Sequence, residues 1–299
     1  MFIANANKRL CLLLGIVCSL LLSPSLVFAS DISEEYTKIP AKIDGMIYNL
    51  DAKIYRPSDD GVYPLIVLNH GRSTKAEERK KAELVDYYKI QAETLAKKGF
   101  VVVLAVRRGY GLSEGPDAEY SKAATIYKTG LEGTKDVVET VRFMQQKSYV
   151  DSKHTIIMGQ SCGGLIAVAS ATKNIPGLAG VVNFAGGLRH PDTVNPDIWT
   201  VYDEQYLIST YSAYGRDAKV PMIWLYTEND SYFPPAISKR MFDSFVEAGG
   251  KAEFYLLPAF RKDGHTFFPS SATIPIWLPL FEKFLDTLNI PYIHDAAGE

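Results

Sequence analysis

Cysteine is scarce in this chain: there are three, Cys11, Cys18 and Cys162, and two of them fall within the first 18 residues. An excess of charge is also missing, with 32 Lys and Arg against 34 Asp and Glu and a formal net charge of −2. A chain balanced in this way offers no broad basic surface, which argues against nucleic acid as a partner. Internal repeats and low-complexity linkers are lacking. With 47% hydrophobic and 22% charged residues, the composition is that of a globular protein and not of a disordered, collagen-like or coiled-coil chain. Long hydrophobic runs are absent as well: the longest, Leu10 to Leu22, has 13 residues, short of the roughly 20 that span a bilayer as a helix.

That run fits an export signal. Lys8 and Arg9 precede it, Ser23, Pro24 and Ser25 follow it, and Val27-Phe28-Ala29 satisfies the small-residue rule before a cut. Residues 1–29 therefore read as a secretory signal peptide, with the mature chain starting near Ser30 in a secreted or periplasmic location. The alternative is an uncleaved N-terminal anchor; after cleavage no stable membrane insertion is expected. Removal of Lys8 and Arg9 takes the net charge from −2 to −4 and leaves Cys162 as the single cysteine. No internal disulfide can then form. A chain of about 270 residues buries enough surface to be held by its core alone.

From Ile39 onward, short β-branched runs alternate with segments of helical period, the pattern of an α/β fold with a mostly parallel sheet and helices on both faces. Asp44-Gly45 between Ile43 and Met46 predicts an opening antiparallel hairpin. Leu65 to Leu68 and Val101 to Val106 are continuous apolar runs and read as central strands. Thr155 to Met158, Ala179 to Phe184, Met222 to Tyr226 and Phe254 to Leu257 read as further strands. Helical spacing links Leu84, Tyr88, Ala92 and Leu95, then Val137, Val141 and Met144, then Leu165 to Ala171, Ile237 to Phe245 and Leu278 to Leu288. The charged run Glu77 to Lys81 reads as a solvated face. Residues 30–299 form one domain in this reading. Within it, 185–220 is an insertion, rich in Trp199, Tyr202, Tyr206, Tyr211 and Tyr214, that is either an extra pair of helices or a lid over a pocket.

Gly159-Gln160-Ser161-Cys162-Gly163 matches G-x-S-x-G. It leaves a predicted strand and opens a predicted helix, the setting of a nucleophile elbow, where small neighbours let strand and helix approach. No Lys follows in P-loop spacing and no G-x-G-x-x-G is complete at this turn, so phosphate binding does not fit. A serine hydroxyl needs a base, and the base an orienting acid. Of the downstream histidines, His190 falls in the insertion and His294 in the polar tail, whereas His265 lies in a polar loop after the last strand and is chosen as the base. Asp230 is preferred to Glu228 as the acid, because it lies further beyond the strand tip and Pro234-Pro235 stiffen the turn behind it. Asp263 is too close in sequence to His265 to face the ring. The backbone N–H groups of Cys162 and of Arg72, in Asn69-His70-Gly71-Arg72-Ser73, are the expected oxyanion donors. His70 packs beside that loop, and Cys162 reads as a small buried filler. Tyr110, Tyr232 and Phe233 are placed near the mouth as substrate-binding residues.

Taken in order, His70-Gly71, the run Arg108-Gly109-Tyr110-Gly111-Leu112-Ser113-Glu114-Gly115, the elbow, Glu228-Asn229-Asp230 before Pro234-Pro235, and Gly264-His265 span Pro40 to Leu288. On these residues the chain resembles the α/β-hydrolase superfamily, and within it the dienelactone hydrolase-like and prolyl-oligopeptidase-like branch. Two departures accompany the resemblance: dienelactone hydrolases carry Cys where this chain has Ser161, and the oligopeptidases carry an N-terminal propeller for which this chain has no room. Together with the signal segment, these residues point to an exported serine hydrolase acting on a small-molecule carboxylic ester, with no metal and no cofactor. A peptidase or amidase using the same three residues is the alternative. A non-catalytic binding protein of the same fold is a weaker one, because all three positions are filled.

Overall fold

The computed structural model describes residues 31–73, 75–117, 126–191, 199–200 and 204–294; for 190–191 and 199–200 it describes the backbone only. The proposed signal segment, residues 1–29, lies outside the described residues, as does Tyr202 of the insertion. Among the described residues, no helix is long and apolar enough to cross a membrane.

The described residues form ten strands: β1 (Ile32–Ile43), β2 (Met46–Pro57), β3 (Tyr63–Asn69), β4 (Val101–Ala105), β5 (Val150–Gln160), β6 (Leu178–Phe184), β7 (His190–Pro191), β8 (Trp199–Thr200), β9 (Met222–Thr227) and β10 (Ala252–Leu257). Seven helices accompany them: α1 (Ala76–Arg79), α2 (Lys89–Lys97), α3 (Ile126–Met144), α4 (Cys162–Ser170), α5 (Glu204–Asp217), α6 (Pro235–Glu247) and α7 (Ile274–Leu288). Eight strands form one sheet in the order β1-β2-β4-β3-β5-β6-β9-β10, and β7 and β8 form a separate two-residue ladder. β2 is antiparallel to β1 and β4, while every pair from β4 to β10 in that order is parallel. This is the α/β-hydrolase fold.

The opening hairpin turns at Asp44 and Gly45, whose φ values of 51° and 84° are both positive. Two positive values in a two-residue loop match the twist of the flanking strands, and Asp-Gly is the pair that accepts them most readily. The continuous apolar runs occupy the centre of the sheet for a reason visible in their alternation. Leu65, Val67, Val101 and Val103 pack with α3, α4, α5 and α6 on one face. Ile66, Leu68, Val102 and Leu104 pack with α2 and α7 on the other. A strand covered on both sides has no polar face to alternate with. Each fully buried Val or Leu contributes roughly 1.5–3 kcal/mol relative to exposure, so the two layers around β3, β4 and β5 anchor everything at their C-terminal ends.

Two expectations are modified. The segment from Leu84 to Leu95 is not one helix: a 3₁₀ turn covers Ala82–Asp86, and α2 starts only at Lys89. The break lets Leu84 and Tyr87 face a surface cavity while Tyr88 is fully buried and donates from its hydroxyl to Gln160 Oε1 at 2.8 Å. The second half of the insertion is α5. Its Leu207, Tyr211 and Tyr214 are buried in the same layer as α6, and Tyr214 donates to Tyr127 O on α3 at 2.7 Å. Those tyrosines are core, so α5 belongs to the helical layer.

Candidate active site

Ser161 stands between the last residue of β5 and the first of α4, with φ 58° and ψ −125°. A non-glycine residue in this region stores strain, which persists only where the surroundings over-determine it. Ser161 N–H donates to Phe184 O at 2.9 Å, while Ser161 O accepts from Leu165 N at 3.1 Å and Gly187 N at 3.1 Å. Its backbone is thus tied to β6, to the helix and to the loop after β6. Gly163, two positions on, serves close approach: a Cβ there would sit 2.2 Å from Asn69 O and 2.6 Å from His70 O. Only with hydrogen there can α4 lie against the end of β3.

His265 comes from a short 3₁₀ turn, Gly264–Thr266, after β10. Its Nε2 is 3.0 Å from Ser161 Oγ and its Nδ1 is 3.1 Å from Asp230 Oδ2. A carboxylate can only accept, so Nδ1 carries the proton and Nε2 accepts from the serine hydroxyl. Asp230 is 2% exposed. Its second oxygen, Oδ1, accepts from the backbone N–H of Tyr232 at 2.8 Å and of Phe233 at 2.9 Å. The Asp-Ser-Tyr-Phe-Pro-Pro turn therefore aims the carboxylate at His265 by binding its far side. Glu228 remains exposed at the tip of β9.

Asp263 has a different job from the one weighed for it. Its Oδ1 accepts from Ser231 N at 3.1 Å and from His265 N at 2.9 Å, and its Oδ2 accepts from Ser231 Oγ at 2.6 Å. Burial alone pushes this carboxyl up, but these hydrogen bonds outweigh it and hold Asp263 below the usual carboxylate range. It joins the turn that bears Asp230 to the turn that bears His265. Asn229 makes a second tie, accepting from Phe260 N at 2.8 Å and donating to Arg261 O at 3.1 Å. Gln160, the last residue of β5, ties the nucleophile strand to the same turn: its Nε2 donates to His265 O at 2.9 Å. The sequence reading assigned no role to Gln160 or Asn229. Gln160 sits at a variable position of G-x-S-x-G, so the pattern carries no signal for it.

On the β3 side, His70 Nδ1–H donates to Gly71 O at 2.7 Å, and Nε2 accepts from Arg107 N at 3.0 Å. Both ring nitrogens are used in holding the loop, in keeping with a packing role. The guanidinium of Arg72 grips Asp117 with both arms, at 2.9 and 2.8 Å, and also donates to the Tyr110 hydroxyl. Bidentate pairing is geometrically demanding, so it holds the Arg72 side chain in one orientation. The Cys162 N–H is the first of α4. Arg72 and Cys162 both line a recess of about 20 Å³ next to Ser161.

A larger cavity of about 400 Å³ also borders Ser161, shares Arg72 and Tyr232 with the recess, and is lined further by His265, Leu84 and Tyr87. Tyr232 stacks on the imidazole, with centroids 4.2 Å apart and planes at 13°, and Arg189 lies 4.6 Å from the centre of the tyrosine ring. Phe233 meets His265 edge-on at 5.6 Å and is 1% exposed; it lines the recess. Tyr110 is also 1% exposed and lines neither space. Its hydroxyl is held by Arg72 and its ring packs on His70 at 4.8 Å, so the structure places it behind the cavity wall and not at the mouth. The run Glu77 to Lys81 is solvated as expected, with Glu77, Lys80 and Lys81 exposed, and two of its residues, Glu78 and Lys81, also line the open cavity, because the chain folds back over the site directly after β3. Among the described residues, no group of three His, Cys, Asp or Glu side chains is gathered as for a metal ion.

Residues 86–289 match the model of the prolyl oligopeptidase family. No curated protein matches the chain in sequence. Among solved structures, a Klebsiella pneumoniae protein assigned as a dienelactone hydrolase superposes with TM-score 0.59 at 18% identity, over 87% of this chain and 99% of its own. The Pyrococcus horikoshii acylaminoacyl peptidase superposes with TM-score 0.62 at 18% identity, over 89% of this chain but 43% of that one. A Pyrococcus furiosus esterase does so with TM-score 0.58 at 14% identity, over 87% of this chain and 91% of its own. At such identities these neighbours speak to the fold.

Proposed function

Because the chain belongs to the prolyl oligopeptidase family of serine hydrolases, we propose that it is an exported enzyme cleaving carboxylic esters through an acyl-enzyme, with Ser161, His265 and Asp230 as its triad. The observation that carries this reading is the bridging position of His265, 3.0 Å from Ser161 Oγ and 3.1 Å from Asp230 Oδ2, in the wall of an open cavity. In the first step His265 Nε2 takes the hydroxyl proton as Ser161 Oγ bonds to the ester carbon. Asp230 stabilises the imidazolium that results. Negative charge moves to the carbonyl oxygen, where the N–H groups of Cys162 and Arg72 receive it. Collapse breaks the bond to the alcohol oxygen, which takes the proton from His265. A water then repeats the sequence: His265 accepts its proton, the hydroxide oxygen bonds to the acyl carbon, and Ser161 leaves with the proton returned.

The same geometry serves an amide, and the acylaminoacyl peptidase among the structural neighbours keeps a peptidase reading in play. An ester is the less demanding substrate, since an alkoxide is a far better leaving group than an amide nitrogen, whose departure depends wholly on the proton from His265. A panel of p-nitrophenyl esters against aminoacyl p-nitroanilides separates the two: esters are turned over with the higher kcat/KM, and a preference for anilides would overturn the ester assignment. Export is supported by the layout of residues 1–29. N-terminal sequencing of the protein recovered outside the cytoplasm should begin near Ser30; recovery of an intact Met1 terminus would refute cleavage.

A further inference from the structure

The two spaces that meet at Ser161 differ about twentyfold in volume, roughly 400 Å³ against 20 Å³, and the chemistry dictates which half of the substrate enters each. The alcohol oxygen must come within hydrogen-bond reach of His265 Nε2 to be protonated as it leaves. His265 lines the large cavity and not the recess, so the alcohol departs into the large cavity. The carbonyl oxygen must point at the N–H groups of Cys162 and Arg72; Cys162 lines the recess and not the large cavity, and Arg72 lies where the two meet. The acyl substituent diverges from the alcohol oxygen at that carbon, so with the alcohol in the large cavity it turns toward the opposite lining, the recess wall that includes Gly187, Leu188 and Phe233.

That wall is close and stiff. A void needs about 10–15 Å³ to hold one water molecule, so 20 Å³ admits one or two groups of that size: the carbonyl oxygen and a hydrogen or methyl. Phe233 and Leu188 are 1% and 4% exposed. The Phe233 ring already lies so near Gly187 that a Cβ there would be 2.4 Å from it. Retreat is opposed by the site itself, since Phe233 N–H donates to Asp230 Oδ1 at 2.9 Å and Gly187 N–H donates to Ser161 O at 3.1 Å. We infer that the enzyme is selective for formyl or acetyl esters of bulky alcohols, with Leu188 and Phe233 setting the acyl length limit. The inference rests on the serine esterase reading above and deepens it.

The test uses 1-naphthyl acetate, butyrate and octanoate with the exported protein. Acetate should exceed butyrate in kcat/KM by about tenfold or more, the usual scale of discrimination for added methylenes in a tight pocket, and octanoate should be slower still. Leu188→Ala, or Leu188→Val if the alanine variant melts early, should bring butyrate up toward acetate by about tenfold. Leu84→Trp narrows the large cavity; it should raise KM for all three naphthyl esters and leave their order unchanged. Wild-type turnover that favours butyrate or octanoate would overturn the length limit while leaving the serine esterase intact. A Leu84→Trp variant that reverses the acyl order would show that the two spaces are assigned the wrong way round. Absence of turnover with every ester would instead remove the esterase reading, and the inference with it.

Discussion

Replacing Asp230 by Asn changes one atom, and the surroundings decide which way the amide must face. Two backbone N–H groups, from Tyr232 and Phe233, point at Oδ1 at 2.8 and 2.9 Å. Turning the NH2 toward them would leave two buried donors without acceptors, at roughly 1–3 kcal/mol each. The amide oxygen therefore stays on the turn and the NH2 faces His265 Nδ1, the position now held by Oδ2 at 3.1 Å. A donor there forces Nδ1 to accept, which moves the ring proton to Nε2. In that tautomer Nε2 has no lone pair for the Ser161 hydroxyl at 3.0 Å, and the imidazolium formed during attack loses its carboxylate. The same exchange in a serine protease triad lowers kcat about 10⁴-fold, or about 5.5 kcal/mol at ~1.4 kcal/mol per decade. Since the turn keeps its two acceptor contacts, thermal stability should change little. Steady-state kcat with p-nitrophenyl acetate at pH 7, beside a thermal melt, measures both. A fall of less than about tenfold with an unchanged melt would refute the role given to Asp230.

Tyr232→Ala removes the ring stacked on His265 at 4.2 Å; such pairs contribute about 0.5–1.5 kcal/mol, so kcat should fall up to about tenfold, whereas Tyr232→Phe should retain it. Asp263→Asn should cost about 1 kcal/mol of stability at pH 7, because the carboxylate's hydrogen bonds are partly screened by solvent. Its lowered folded-state pKa means that this stability is present above the unfolded value near 4 and is lost as pH falls through the folded one. Melts of the two proteins should therefore differ at pH 7 and converge in strong acid; a constant gap would contradict the tie between the two turns. Gly163→Ala places a methyl 2.2 Å from Asn69 O, a backbone clash that overpacking values put at about 1–3 kcal/mol or more. Its melt should drop and its ester turnover should be lost.

Much of this architecture is legible without coordinates because each central element has only one way to satisfy its own sequence. Val101 to Ala105 cannot expose either face, so it is a central strand. The nucleophile turn is readable because Gly159 and Gly163 flank a serine between an apolar strand and an apolar helix. What escapes a linear reading is how separate loops converge. Glu78 and Lys81 look like a solvated face, and only the return of the chain over β3 turns them toward the cavity. Tyr110 sits within a glycine-rich run that suggests a place at the mouth, yet its hydroxyl is held behind the wall by Arg72. Tyr211 and Tyr214 suggest a pocket by composition, but helical phase carries them into the core. Gln160 reaches the carbonyl of His265 across 105 positions of sequence, a contact that no local pattern encodes.

The central claim is that Ser161 is a nucleophile activated by His265. A fluorophosphonate probe followed by peptide mass spectrometry tests it most directly, because phosphonylation requires the activated hydroxyl and the adduct can be assigned to a residue. The account predicts one adduct per chain, on the peptide containing Gly159-Gln160-Ser161-Cys162-Gly163, abolished in Ser161→Ala and strongly slowed in His265→Ala. Labelling that persists in Ser161→Ala, or an adduct found on another residue, would contradict it.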